Sequence, residues 1–348
     1  MDAEKELSTI ILETKGLGIG YRTRRSQDML HDRLDLSLHR GDLVCLIGPN
    51  GSGKSTLVRT LGGLQPALRG KVFIDGKDIG MLKDSERSKK LSMVLTDKTA
   101  VDNITLSEIV SLGRYADTNW LGKMNDEDIR IVRSALQLVG LYELRDRYYG
   151  TLSDGEKQRA FIAKALASKA PLMLLDEPTA HLDIPNRVEI MLLLRKLTRK
   201  NHQSVLVSTH DLELALQLAD EIWLLDRETS ILCTTPEEAM KSGVLNNAFG
   251  SESVEFHPEF ERFVIKSKPN ARLFVSGEGM NYKMTIHALE RIGFAVGEDE
   301  KDMNIHVEEQ HWEVRYGKAS SRFENLGDLI RHLRIIHETG AGKTSAKI

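Results

Sequence analysis

Residues 43–58 read LVCLIGPNGSGKSTLV, and few folds can accommodate such a run. Leu43–Ile47 is apolar throughout, as in a strand buried on both faces. A full G-x-x-x-x-G-K-S match follows: Gly48, Pro49, Asn50, Gly51, Ser52, Gly53, Lys54, Ser55. Thr56, Leu57, Val58 and Arg59 then begin a helix. Strand, glycine-rich loop and helix are the context that a phosphate-binding loop requires. Glycines let successive backbone N–H groups turn toward phosphate oxygens. In that chemistry Lys54 reaches the β- and γ-phosphates and the Ser55 hydroxyl ligates Mg²⁺. A second run, TGAGKTS at 339–345, has neither a preceding strand nor the first glycine, since position 337 is His337. It reads as a polar tail.

Residues 171–183, PLMLLDEPTAHLD, repeat the buried-strand signal and end it on two acids. Open α/β sheets bind ligands at the carboxyl ends of their strands. Asp176 is suited to hold Mg²⁺ through water, and Glu177 to position the attacking water. Neighbouring residues on a strand face opposite ways. Two roles at one place therefore require the strand to stop there, and Pro178 stops it. Residues 152–160, LSDGEKQRA, read as a helix start capped by Ser153 or Asp154. Such a start attracts an anion.

The bulk numbers set bounds. The chain has 348 residues, which suggests roughly two domains. A net charge of −3 gives no sign of nucleic-acid binding. The two cysteines, Cys45 and Cys233, form no CxxC or His/Cys cluster, which fits a reduced cytosolic protein. The acidic start MDAEKELST is no secretory signal. No apolar run approaches the ~20 residues needed to span a bilayer.

GPNGSGKST, LSDGEKQRA, LMLLDEP and VLVSTHD occur in that order, and together they resemble the ATP-binding subunit of an ATP-binding cassette (ABC) transporter over roughly residues 9–250. The resemblance implies an α/β P-loop ATPase domain over 1–250, with a mixed sheet and a helical subdomain at about 98–165. It implies two copies facing head to tail, with ATP between the phosphate loop of one and Ser153, Asp154, Gly155 and Glu156 of the other. Tyr21 then takes the place of an aromatic stacked on adenine. Asp183 lies in the loop joining the two sites, and His210 in STHD is the switch histidine at the γ-phosphate. Two departures stand out: LSDGE replaces the usual LSGGQ, and Asp97 replaces a magnesium-binding Gln. Asp154 is expected to turn away from the nucleotide.

The implied partner is an integral-membrane permease at the inner face of the cell membrane, served by a periplasmic or surface substrate-binding protein. SEIVSLGRY is similar to a stretch in importers of iron–siderophore, heme and vitamin B12. A non-transport ABC ATPase, an assembly or repair scaffold, is the alternative; one cassette per chain, with no coiled-coil insert and no zinc motif, speaks against it. Helical spacing groups Leu106, Ile109, Val110 and Leu112 on one face, and Ile129, Val132, Leu136 and Val139 on another.

Residues 251–338 read as a small accessory α+β domain of order β-α-β-β-α, followed by a tail at 339–348. Its first helix is expected over 280–294, with Met284, Ile286 or His287, Leu289 and Ile292 inward. The domain carries no phosphate loop. Dimer contact, ligand-tuned regulation and a structural cap all remain open as its role.

Overall fold

The computed structural model describes residues 9–22, 26–95, 103–117, 124–226, 230–258, 261–266, 271–297, 303–316 and 319–339. The chain separates into two compact units, residues 1–250 with 256–262, and residues 251–255 with 263–348.

The first unit is built on two sheets. Its strands are β1 (Ile10–Arg22), β2 (Gln27–Leu34), β3 (Ser37–His39), β4 (Leu43–Ile47), β5 (Arg69–Ile74), β6 (Lys77–Asp78), β7 (Leu91–Val94), β8 (Leu172–Asp176), β9 (Ser204–Ser208), β10 (Glu221–Asp226) and β11 (Ser230–Thr234). One sheet has the order β2-β1-β5-β6, with β3 also on β1, and all of its pairings are antiparallel. The other runs β11-β10-β4-β9-β8-β7 and is parallel except for the β10–β11 pair. Every residue of β4, β8 and β9 is buried, as expected for central parallel strands. Leu12, Leu38, Val44, Leu57, Leu172 and Trp223 belong to one apolar cluster that joins the two sheets.

The helices of this unit are α1 (Lys54–Leu61), α2 (Asp84–Lys90), α3 (Leu106–Ser111), α4 (Asp126–Leu138), α5 (Asp154–Ala167), α6 (Ile184–Asn201), α7 (Leu212–Leu218), α8 (Pro236–Lys241) and α9 (Val244–Phe249). α3, α4 and α5 pack on one another as the helical subdomain. Leu106, Ile109 and Val110 are buried as their spacing predicts, whereas Leu112 is half exposed. On α4 the buried face is Ile131, Val132, Ala135 and Leu136, and Ile129 is exposed. Val132, Leu136 and, just past the helix, Val139 are buried as their spacing predicts, and Ile129 is the one of the four that faces outward.

Arg114 closes this subdomain from within. It is 7% exposed, and its guanidinium donates to Asp128 Oδ1 at 2.9 Å and to the Ala167 carbonyl at 2.9 Å. The backbone N–H of Asn125, followed by that guanidinium, holds the Asp128 carboxyl below the usual carboxylate range. Gly113 sits beside it because a Cβ there would lie 2.1 Å from the Lys164 carbonyl oxygen. The SLGRY run thus packs inward at Gly113 and Arg114, with Leu112 and Tyr115 outward. Arg114→Ala would strip the buried Asp128 carboxylate of its guanidinium partner and leave it the Asn125 N–H. We expect a loss of about 3 kcal/mol, read as an earlier denaturant midpoint for this unit.

The chain passes to the second unit through β12 (Val254–His257) and β13 (Arg262–Ile265). That unit contains β14 (Ala271–Gly277), α10 (Gly279–Arg291), β15 (Phe294–Gly297), β16 (Met303–Val307), β17 (Trp312–Tyr316), β18 (Ala319–Phe323) and α11 (Leu326–Thr339). Its sheet order is β15-β14-β16-β17-β18, with β15 and β16 parallel to β14. The observed order is therefore β-α-β-β-β-β-α, two strands more than the sequence suggests. β15 is only four residues long, and β18 (ASSRF) has an almost wholly exposed side-chain pattern with no apolar alternation. On α10, Met284 and His287 face outward, and Thr285, Ala288 and Leu289 are buried. Thr285 is tolerated in the core because its Oγ1 accepts a 2.7 Å bond from the Trp312 indole N–H.

Candidate nucleotide site

Three adjacent parallel strands, β4, β9 and β8, deliver their carboxyl ends to one place. β4 runs into the loop at Gly48, β8 ends on Asp176, and β9 is followed by Thr209 and His210. The loop enters α1 at Gly53, which caps the helix with φ +103°, a left-handed conformation suited to glycine. Lys54 is 5% exposed, and its Nζ donates to the Gly48 and Pro49 carbonyls at 2.9 and 3.1 Å. Burial pushes its pKa down, opposed by the charges of Glu177 and then Asp176. Ser52 Oγ is buried with no hydrogen-bond partner among the described residues, so the cradle holds an unmatched polar atom.

Ser55 Oγ donates to Asp176 Oδ1 at 3.0 Å, and Ser208 Oγ donates to the same oxygen at 2.8 Å. Asp176 is 2% exposed. A hydroxyl and a carboxylate meeting at one point form an oxygen donor pair suited to a hard divalent cation. Asp97 lies outside the described residues.

Glu177 leaves the strand sharply, with φ +49°. A non-glycine residue in the left-handed region carries strain that its surroundings must hold. Here the Glu177 N–H donates to Ser208 Oγ at 2.9 Å, and Glu177 Oε1 lies 2.6 Å from His210 Nε2. Asp176 and Glu177 thus reach one place from different directions. Tyr21 stands on β1, half exposed, with its hydroxyl 2.8 Å from Thr56 Oγ1. Tyr21, Leu30, Asn50, Lys54, Glu177 and His210 line one cavity of about 290 Å³. Depressions of about 570 and 520 Å³ lie elsewhere on this unit. Volume therefore does not single the site out; converging strand ends and loop donors do.

Ser153, Asp154, Gly155, Glu156 and Asp183 are placed at helix starts. Ser153 caps α5 in a capping box: Glu156 N–H donates to Ser153 Oγ at 3.3 Å, and Ser153 N–H donates to Glu156 Oε2 at 2.7 Å. The Ser153 hydroxyl also donates to Glu156 Oε2, at 2.9 Å. The backbone bond to Ser153 is the main reason the Glu156 carboxyl titrates below its ordinary value. Asp154 is exposed. Gly155 is buried, and a Cβ there would meet the Asn186 amide at 3.0 Å. Asp183 caps α6 by accepting from the Asn186 N–H at 3.1 Å and from its side-chain amide at 2.6 Å. Asn186 thus bonds Asp183 at its own helix start and lies against Gly155 at the other, a place that its sequence position did not announce.

A family model described as ABC transporter matches residues 31–180, and one described as Iron ABC transporter C-terminal domain matches residues 270–334. An uncharacterized ABC transporter ATP-binding protein of Methanocaldococcus jannaschii is 33% identical over 276 residues, covering 78% of this chain and 94% of that one. The chain belongs to the ABC transporter ATP-binding proteins. The cassette is accordingly an ABC-type ATPase that binds ATP. The iron(3+)-hydroxamate import ATP-binding protein FhuC of Bacillus subtilis is 35% identical to it, over 68% of the cassette chain and 87% of FhuC. The ferric enterobactin transport ATP-binding protein FepC of Escherichia coli is 33% identical, over 63% and 81%. Among solved structures, a transporter assigned to the metal-chelate type, in an inward-facing conformation, superposes with a TM-score of 0.62. It is 26% identical and covers 75% of this chain and 99% of that one. A bacterial cassette solved as a dimer superposes with a TM-score of 0.58 at 28% identity, covering 65% and 98%. Among the described residues no helix is long and apolar enough to cross a membrane.

Proposed function

We propose that this cassette hydrolyses ATP to drive a separate membrane permease that imports an iron chelate. The observation that carries the cargo class is the second unit, whose sequence matches the iron-transporter C-terminal model. The names of FhuC and FepC point the same way.

In this reading two cassettes meet head to tail on the inner face of the membrane, beneath the permease. Tyr21 stacks on adenine. The loop from Gly48 to Thr56 wraps the phosphates, with Lys54 on the β- and γ-phosphates. Ser55 and Asp176 hold Mg²⁺, which when bound offsets the charge that develops on the transferring phosphoryl group. Glu177 orients the attacking water, and His210, 2.6 Å from it, fixes its carboxylate and reaches the γ-phosphate. Ser153 and Gly155 close the site from the partner cassette. Asp154 keeps its exposed position there, and Asp183 links the two sites.

The test is uptake in cells of the source organism with and without the cassette gene, using radiolabelled ferric hydroxamate, heme and cobalamin in parallel. Ferric hydroxamate accumulation that depends on the cassette is the expected result. Uptake of heme or cobalamin alone would replace the cargo assignment. Failure of the cassette to co-purify with any multi-span membrane protein would favour a scaffold ATPase instead.

A further inference from the structure

His31 is a buried histidine, 5% exposed, that the mechanism above does not use. It stands on β2, paired with Ile19 of β1, next to the register shifts that flank Ile19. Its Nε2 lies 2.7 Å from the Ser52 carbonyl oxygen, in the middle of the phosphate loop. A carbonyl only accepts, so this contact requires the proton on Nε2. The same side chain packs on the next residue, since a Cβ on Gly53 would lie 3.6 Å from His31 Cδ2.

We infer that His31 is a positioning residue for ATP, which aims the Gly53 N–H by holding the Ser52 carbonyl. The link is peptide geometry. In a trans peptide the C=O of one residue and the N–H of the next point in opposite directions. Tethering the Ser52 carbonyl to the hairpin therefore turns the Gly53 N–H toward the inner side of the loop. Gly53 has the backbone freedom to rotate that peptide the other way. A loop of this composition needs an external hold, and the β1–β2 hairpin supplies it. The same hairpin carries Tyr21, so one element sets both the adenine end and the phosphate end of the site.

The inference rests on the loop at 48–55 holding the ATP phosphates. The full-length protein is titrated with a fluorescent ATP analogue, and steady-state turnover is followed alongside. His31→Leu keeps the bulk and removes the donor. His31→Gln places an amide N–H near the same point, and His31→Asn stops short of it. The expected result is affinity weakened roughly five-fold in the Leu and Asn variants, the size of one net hydrogen bond, with Gln within about two-fold of the parent. KM rises while kcat changes little, and the unfolding temperature without nucleotide does not follow the affinities. Parent-like affinity in the Leu variant overturns the inference. An equal loss in Leu and Gln overturns it as well. If the Leu variant does not fold, the Gln against Asn contrast decides alone. Lys54→Ala serves as control: unchanged binding there would remove the site assignment itself.

Discussion

Glu177→Gln is expected to lower ATP turnover by roughly 10²–10³-fold while ATP affinity stays within about two-fold. The two carboxylate oxygens of Glu177 do different things. Oε1 lies 2.6 Å from His210 Nε2, and a Gln carbonyl can accept that same bond. The other position becomes an amide, which donates and cannot accept a proton from water. The backbone at 177, in its left-handed conformation and bonded through its N–H to Ser208, is unchanged by the substitution. The geometry therefore survives and only the acceptor is lost, which separates catalysis from binding. Steady-state phosphate release and analogue binding, measured on one preparation, check both halves. A variant that turns over at the parental rate would remove Glu177 from the catalytic assignment.

Lys54→Ala is expected to weaken ATP binding about 100-fold, with turnover falling below detection at ordinary ATP concentrations. A hydrogen bond from a cation to an anion contributes about 1.5–3 kcal/mol, so one at the upper end accounts for about 100-fold, and Lys54 keeps its third N–H for a phosphate. Its ammonium is already within the loop, bonded to the Gly48 and Pro49 carbonyls, so little side-chain entropy remains to be lost on binding. Isothermal titration with MgATP measures the weakening directly. Lys54→Arg should not rescue binding, because the planar fork needs more room than the buried ammonium occupies.

Much of this site was legible because its parts are local. A fully buried strand, a glycine loop and a helix start are contiguous over Leu43–Leu61, and each is recognisable within a few residues. The same holds for Asp176 and Glu177 after β8, and for His210 after β9. What escaped depends on partners far along the chain. His31 is a lone histidine in a polar strand, and only the fold shows that its neighbour is Ser52, 21 residues on. Arg114 lies in the run that resembles a stretch in iron–siderophore, heme and vitamin B12 importers, yet its charge is matched inside by Asp128. Asn186 gains its place from Gly155, 31 positions earlier, which the sequence gives no reason to bring close.

The second unit was harder for a related reason. Strands at sheet edges need not alternate, so β18 reads as a polar loop until β17 is placed beside it. Helix α10 misled in a different way. Met284 is the more apolar residue, but the core takes Thr285, because a buried indole N–H requires an acceptor. Hydrophobicity alone ranks those two the wrong way round.

The capping box at Ser153 and Glu156 changes what closing the dimer means. The Ser153 hydroxyl and N–H both already point at one carboxylate oxygen. In the proposed head-to-tail dimer, a phosphate brought to this helix start would not meet an idle donor. It would compete with a resident acceptor of like charge. Docking is thus an exchange of one anion for another, and its free energy is the difference between two similar bonds. In that dimer we expect residue 156 to act beside the nucleotide in setting how readily the pair opens, because its carboxylate already occupies the Ser153 donors.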